Sequence, residues 1–174
     1  MESAWRIHSS QNDEISPQDA FSLIEPPIAR VIQQLQAEGE PVVIAGGFIS
    51  FAMGITREYN DIDVFVHPLA YVRIASKLRG MKYTLRFQNS APQEEHGYQS
   101  SDMEVYNVYK ENRNTQVQII VILRKWVYRV PTAHENGNAA NTPVIGSLFA
   151  SSLLRDFDIN ATRCALYQGE YIRR

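Results

Sequence analysis

An α+β domain is the fold class the sequence predicts: one mixed β-sheet with helices packed mainly on one face. Three observations lead there. Helix-like apolar spacing dominates the first half of the chain. β-Branched and aromatic runs dominate the second half, and turn-forming residues separate them. Helices early and hairpin-linked strands late make a two-layer arrangement the simplest way to bury both sets of apolar faces. At 174 residues the chain is long enough for a hydrophobic core without disulfides or structural metal. The expected division is a loosely ordered arm over residues 1–25 and a single domain over 26–174, with Trp5 the arm's one potential anchor.

The elements follow in order. "PPIARVIQQLQAEGE" reads as a helix: Pro27 suits its first turn, Ile28, Val31, Ile32 and Leu35 share a face, and Gly39 can end it. "PVVIA" is a short strand running into Gly46 and Gly47, and "FISFAMGI" is a second helix closed by Gly54. "DIDVFV" reads as a central strand, because apolar residues occupy both of its faces beyond the aspartates. "PLAYVRIASKLRG" fits a third helix, with Leu69, Val72, Ala75 and Leu78 expected on its inner side. "KYTLRF", "DMEVYNVYK" and "TQVQIIVIL" are strands, the last two joined at "ENRN" as a hairpin. A long polar loop, "VPTAHENGNAANTPVIG", precedes a short helix, "SLFASSLLRDF", with Ser147 as its expected cap. "DINATRCALY" is the expected last strand.

Composition narrows the function classes. A formal net charge of −2 supplies no global attraction toward nucleic acid or anionic membrane. Cys164 is the single cysteine, so an intrachain disulfide and a cysteine-rich zinc site are excluded. The start of the chain is charged where a secretory signal needs an apolar run, and no apolar run spans a bilayer. A cytoplasmic protein without a membrane partner is the expectation. The four histidines lack metal-binding spacing, and Cys164 reads as a small core residue.

The chemistry concentrates in "AGGFISFAMGITREYNDIDVFV", Ala45 to Val66. Alternation along a strand points Asp61 and Asp63 the same way, about 7 Å apart at the backbone. Two carboxylates so close repel unless a cation lies between them, and Mg²⁺ favours a few carboxylates together with substrate phosphates. Gly46 and Gly47 leave bare backbone at a helix start, where amides favour a phosphate. Neither a P-loop nor a dinucleotide fingerprint is present. Taken alone, each half of this pattern has an ordinary reading, a tight turn and a solvated acid pair.

Together, the order strand, Gly-Gly, helix, Asp-x-Asp resembles the nucleotidyltransferase superfamily of the DNA polymerase beta type. It most resembles the head domain of class II CCA-adding enzymes and bacterial poly(A) polymerases, and small phage proteins sharing that head ("GGxxRD…DIDIF"). A second stretch, "LLRDFDINATRCALY", Leu153 to Tyr167, looks like the family's "RRDFTINALAY".

The resemblance implies a polymerase-beta-like fold. In it Gly46 and Gly47 hold a nucleoside triphosphate, Asp61 and Asp63 coordinate Mg²⁺ or Mn²⁺, and a nucleoside monophosphate passes to an acceptor as pyrophosphate leaves. The acceptor would be an RNA or tRNA end, a protein or a small molecule. Ser50, Arg57, Arg124 and Lys125 are the further expected nucleotide-binding residues, and Asp158 the candidate third catalytic acid if its strand lies beside "DIDVFV". The bare head is compatible with a phage- or virus-encoded protein working in a host cytoplasm.

The sequence departs from the family in three places. The family's Arg-Asp after the glycines falls on Ser50 and Phe51. The strand expected to carry a third carboxylate presents the neutral Gln118. The helical tRNA-binding domains of CCA-adding enzymes are not expected in a sequence with seven residues after Tyr167. The departures keep open a second reading, a catalytically inactive protein of the same fold that binds a nucleotide, an RNA or a host protein.

Overall fold

A computed structural model describes residues 13–88, 103–123, 146–156 and 164–173. Over these residues the chain forms five helices and a seven-stranded mixed sheet. The helices are α1 (Pro17–Phe21), α2 (Pro26–Ala37), α3 (Gly47–Ala52), α4 (Pro68–Gly80) and α5 (Gly146–Asp156). The strands are β1 (Val42–Ala45), β2 (Ile62–Val66), β3 (Tyr83–Phe87), β4 (Met103–Lys110), β5 (Arg113–Ile122), β6 (Cys164–Tyr167) and β7 (Glu170–Arg173).

The sheet order is β3-β4-β5-β2-β1-β6-β7, with β2 at the centre. The β2–β5 pair is parallel and the other neighbours are antiparallel. The α+β class with a mixed sheet is what the sequence predicts. α1 to α4 contribute to one apolar cluster with Ile44, Val64 and Ile119 of the sheet. α5 covers the opposite face, where Phe149, Ala150, Leu153 and Leu154 pack on Val43, Phe65 and Ile120. Helices therefore flank the sheet on both sides, unequally.

Four expectations need correction. Residues 1–12 lie outside the described residues, but the rest of the expected loose arm is packed. Ala20, Phe21 and Ile24 are buried, Ser16 caps α1 by accepting from the Asp19 amide, and Tyr171 donates to the Ile15 carbonyl at 2.7 Å. Glu25 accepts from Tyr83 and pairs with Arg113 at 2.8 Å, joining this segment to the β4–β5 hairpin. Apart from the local Ser16 cap, these partners are remote in sequence, so the polar composition of the segment gave no hint of them.

On α4, Leu69 and Val72 are 68% and 66% exposed, while Ala70, Ile74, Ala75 and Leu78 are buried. The inner stripe is rotated from the expected one: Ala70 and Ile74 are buried in place of Leu69 and Val72, while Ala75 and Leu78 are buried as expected. Ser147 is inside α5 rather than its cap. The described helix begins at Gly146, where an added Cβ would lie 1.7 Å from the Tyr167 hydroxyl oxygen and 2.7 Å from the Glu40 carbonyl oxygen. Lastly, β6 is not the final strand. Gln168 and Gly169 both take positive φ, 50° and 79°, and turn the chain into β7. Two successive left-handed residues make the tight hairpin turn whose twist suits antiparallel strands.

Candidate functional site

β1 and β2 are antiparallel, so the end of β1 abuts the start of β2, with Ala45 directly opposite Asp63. That register carries Gly46 and Gly47 to the same end of the sheet as Asp61 and Asp63. Gly46 adopts φ 90°, ψ −152°, a conformation open in practice only to glycine. Its carbonyl accepts from the Ile49 and Ser50 amides, both at 3.1 Å, and from the Ser50 hydroxyl at 3.3 Å. Gly47 is exposed, and a Cβ added there would meet nothing within 4 Å. The turn thus presents open backbone beside the acid pair.

Ser50 is buried, and its hydroxyl braces the glycine turn from within α3. Phe51 also has a local task. Tyr59 meets Phe48 edge-on and Phe51 at a tilt, both with ring centroids 4.9 Å apart, which holds the loop between α3 and β2 over the helix. Arg57 lies exposed in that loop, and Asp61 is half-buried at its end. Ser50 and Phe51 thus serve turn support and packing.

Asp63 is under electrostatic stress. Its Oδ1 is buried with no hydrogen-bond partner among the described residues. Burial, reinforced by the nearby charge of Asp61, pushes its carboxyl up to about 7. A buried carboxylate oxygen without a donor is costly, and a cation is the natural means of relieving it. Among the described residues no group of three or more His, Cys, Asp and Glu could hold a metal ion. Any cation here would rest on the two aspartates together with neutral oxygens, water or a ligand's phosphates.

Gln118 faces Asp63 across the parallel β2–β5 pair, in direct register. It is half-buried and donates through Nε2 to Asn107 Oδ1 at 2.8 Å. Asn107 in turn donates to Gln88 Oε1 at 3.1 Å. This amide ladder spans β5, β4 and the residue after β3, and sequence reading missed Asn107 and Gln88 entirely. The only sequence signal is a polar residue interrupting the apolar alternation of "MEVYNVYK". Farther along the same face, the Arg86 guanidinium lies 4.0 Å from the Tyr109 ring centroid.

Asp158, Arg124 and Lys125 lie outside the described residues. The described strand β6 pairs with β1 and β7. The far end of β2 is closed by His67, buried, whose Nδ1 accepts from the Leu69 amide at 3.1 Å and caps α4. Burial lowers that imidazole to about 4, which keeps it neutral and able to accept. No helix among the described residues is long and apolar enough to cross a membrane. Comparison of the chain with protein-family models, with curated proteins and with solved structures finds no match.

Proposed function

We propose that the chain is a metal-dependent nucleotidyltransferase of the polymerase-beta-like fold, moving a nucleoside monophosphate from a nucleoside triphosphate to an acceptor hydroxyl. The observation that carries this reading is the buried, unpartnered Oδ1 of Asp63 beside a glycine turn that offers open backbone. The carboxylates of Asp61 and Asp63 would hold Mg²⁺ or Mn²⁺. The ion would supply charge stabilisation for the phosphates and a more acidic acceptor hydroxyl. Gly46 and Gly47 would lie along the triphosphate, and Arg57, in the loop between α3 and β2, would be a further contact. The acceptor oxygen bonds to the α-phosphorus, the α–β bridging P–O bond breaks, and pyrophosphate leaves with that electron pair. The proton of the acceptor hydroxyl passes to solvent water as the bond to phosphorus forms.

A second reading has its own observation. Gln118 stands in register with Asp63 where a third acid is expected, and a neutral amide cannot accept a proton. A protein that binds a nucleotide with its cation and transfers nothing suits that substitution.

Labelled nucleoside triphosphates, Mg²⁺ or Mn²⁺, and RNA, protein and small-molecule acceptors separate the readings. Transfer by the wild type and none by Asp61→Asn/Asp63→Asn is the expected result. Transfer that survives the double substitution overturns the two-aspartate mechanism. Metal-dependent nucleotide binding without transfer to any acceptor selects the second reading.

A further inference from the structure

The orientation of the Gln118 side chain is unexpected on electrostatic grounds. Asp63 Oδ1 is buried and has no donor among the described residues. Its direct neighbour across the β2–β5 pair, Gln118, carries two N–H donors on a half-buried side chain. A hydrogen bond between them would satisfy the carboxylate oxygen at little conformational expense, yet it is not made. Gln118 instead turns its nitrogen to Asn107 Oδ1 at 2.8 Å, on the strand away from Asp63. Asn107 is itself fixed in the accepting orientation by donating its own nitrogen to Gln88 Oε1 at 3.1 Å. The nitrogen and oxygen of a planar amide diverge from one carbon, so committing the nitrogen to Asn107 turns Oε1 away from it.

We infer that Gln118 Oε1 is a neutral oxygen ligand which, with the carboxylates of Asp61 and Asp63, forms a site for a single divalent cation, and that Asn107 and Gln88 are the positioning residues that aim it. The inference rests on the reading that Asp61 and Asp63 hold a cation, and it changes the expected stoichiometry. Two carboxylates and an amide carry a formal charge of −2, which balances one divalent ion. Hard cations such as Mg²⁺ and Mn²⁺ accept carbonyl oxygens alongside carboxylates and fill remaining positions with water or phosphate. The partner that orients a ligand commonly matters to affinity almost as much as the ligand itself. Without Asn107 the Gln118 amide is free to turn and donate to Asp63 Oδ1, which would occupy the oxygen the cation needs.

Mn²⁺ titration of the full chain without nucleotide, followed by calorimetry and by the electron paramagnetic resonance of free Mn²⁺, tests this. The wild type is expected to bind one ion per chain. Asn107→Leu and Gln118→Leu should each weaken binding about tenfold. Asn107→Asp, which keeps an acceptor for the Gln118 nitrogen, should bind at least as tightly as the wild type. Wild-type affinity in Asn107→Leu, with binding abolished in Asp63→Asn, would overturn the role of the ladder and leave the two-aspartate reading standing. Two ions bound per chain would overturn the single-ion site. No Mn²⁺ binding by the wild type would overturn both readings together. Should Asn107→Leu fail to fold, the wild type still decides. The side-chain amide resonances of Gln118 should shift on titration with Mg²⁺, and unmoved resonances at saturation refute the ligand.

Discussion

Two neighbouring rows of side chains cross the same strands of the sheet on opposite faces. On the face carrying α1 to α4, register aligns Leu166, Ile44, Val64, Ile119, Tyr106 and Phe87. One residue away on the other face it aligns Ala165, Ala45, Asp63, Gln118, Asn107 and Arg86. The backbone ladders are shared, so strand formation does not distinguish the rows. The apolar row is stabilised by helix packing, at about 25 cal/mol for each Å² of apolar surface removed from water. In the polar row Gln118 donates to Asn107, and Asn107 to Gln88 just beyond β3, while Asp63 Oδ1 has no donor among the described residues. The electrostatic cost of the second row is therefore concentrated at one atom, as at sites where stability is given up for binding.

Moving a charge from one row to the other should break the contrast most severely. Val64→Asp buries an unpaired carboxylate under the helices, where Val64 is fully buried. A loss of about 4 kcal/mol or more, or failure to fold, is expected in urea or thermal melts. The reverse change should go the other way. Asp63→Asn in metal-free buffer at pH 8 removes a buried charge whose Oδ1 lacks a donor. A gain of about 1–3 kcal/mol is expected by the same melts, and an unchanged or lowered stability would mean that Asp63 is not strained.

His67 sharpens the comparison, because it lies on the Asp63 side of β2 but is satisfied. Its folded-state pKa is held at about 4, below the ordinary 6.5, and its cap requires an unprotonated Nδ1. The unfolded chain takes up the proton first as pH falls. The stability His67 contributes is therefore full above about pH 6.5 and lost progressively from there toward pH 4. His67→Asn keeps a capping acceptor without titrating there. The advantage of the wild type over this variant should shrink by on the order of 1–2 kcal/mol across that window in matched denaturation curves. The smallest effect is expected at the end of the polar row. Arg86→Ala removes an exposed cation from the Tyr109 ring and should cost about 0.5–1 kcal/mol.

Much of the fold was legible because it is local. The spacing of Ile28, Val31, Ile32 and Leu35 and the stop at Gly39 describe α2, and Gly46 marks a turn that needs positive φ. Period-two alternation placed Asp63 and Phe65 on a common face without any knowledge of neighbours. Errors arose where the deciding contact was remote in sequence. The rotated inner face of α4 depends on how the helix rests on the sheet. The packing of residues 13–25 depends on Tyr83, Arg113 and Tyr171, and the start of α5 on Tyr167.

The sequence by itself determined most of the helices and strands, though not α1 or β7, where the glycine turn falls, and that two aspartates share one face of a central strand. These follow from backbone sterics and side-chain periodicity, which act over a few residues. Only the tertiary structure decided what stands beside that pair. The parallel neighbour of β2 is β5, so Gln118 lies opposite Asp63, and β4 beyond it supplies the Asn107 that turns the amide. Strand order is set by how the whole apolar surface is buried, and burial is non-directional. The same alternation that assigns a residue to a face is silent about which strand will lie next to it.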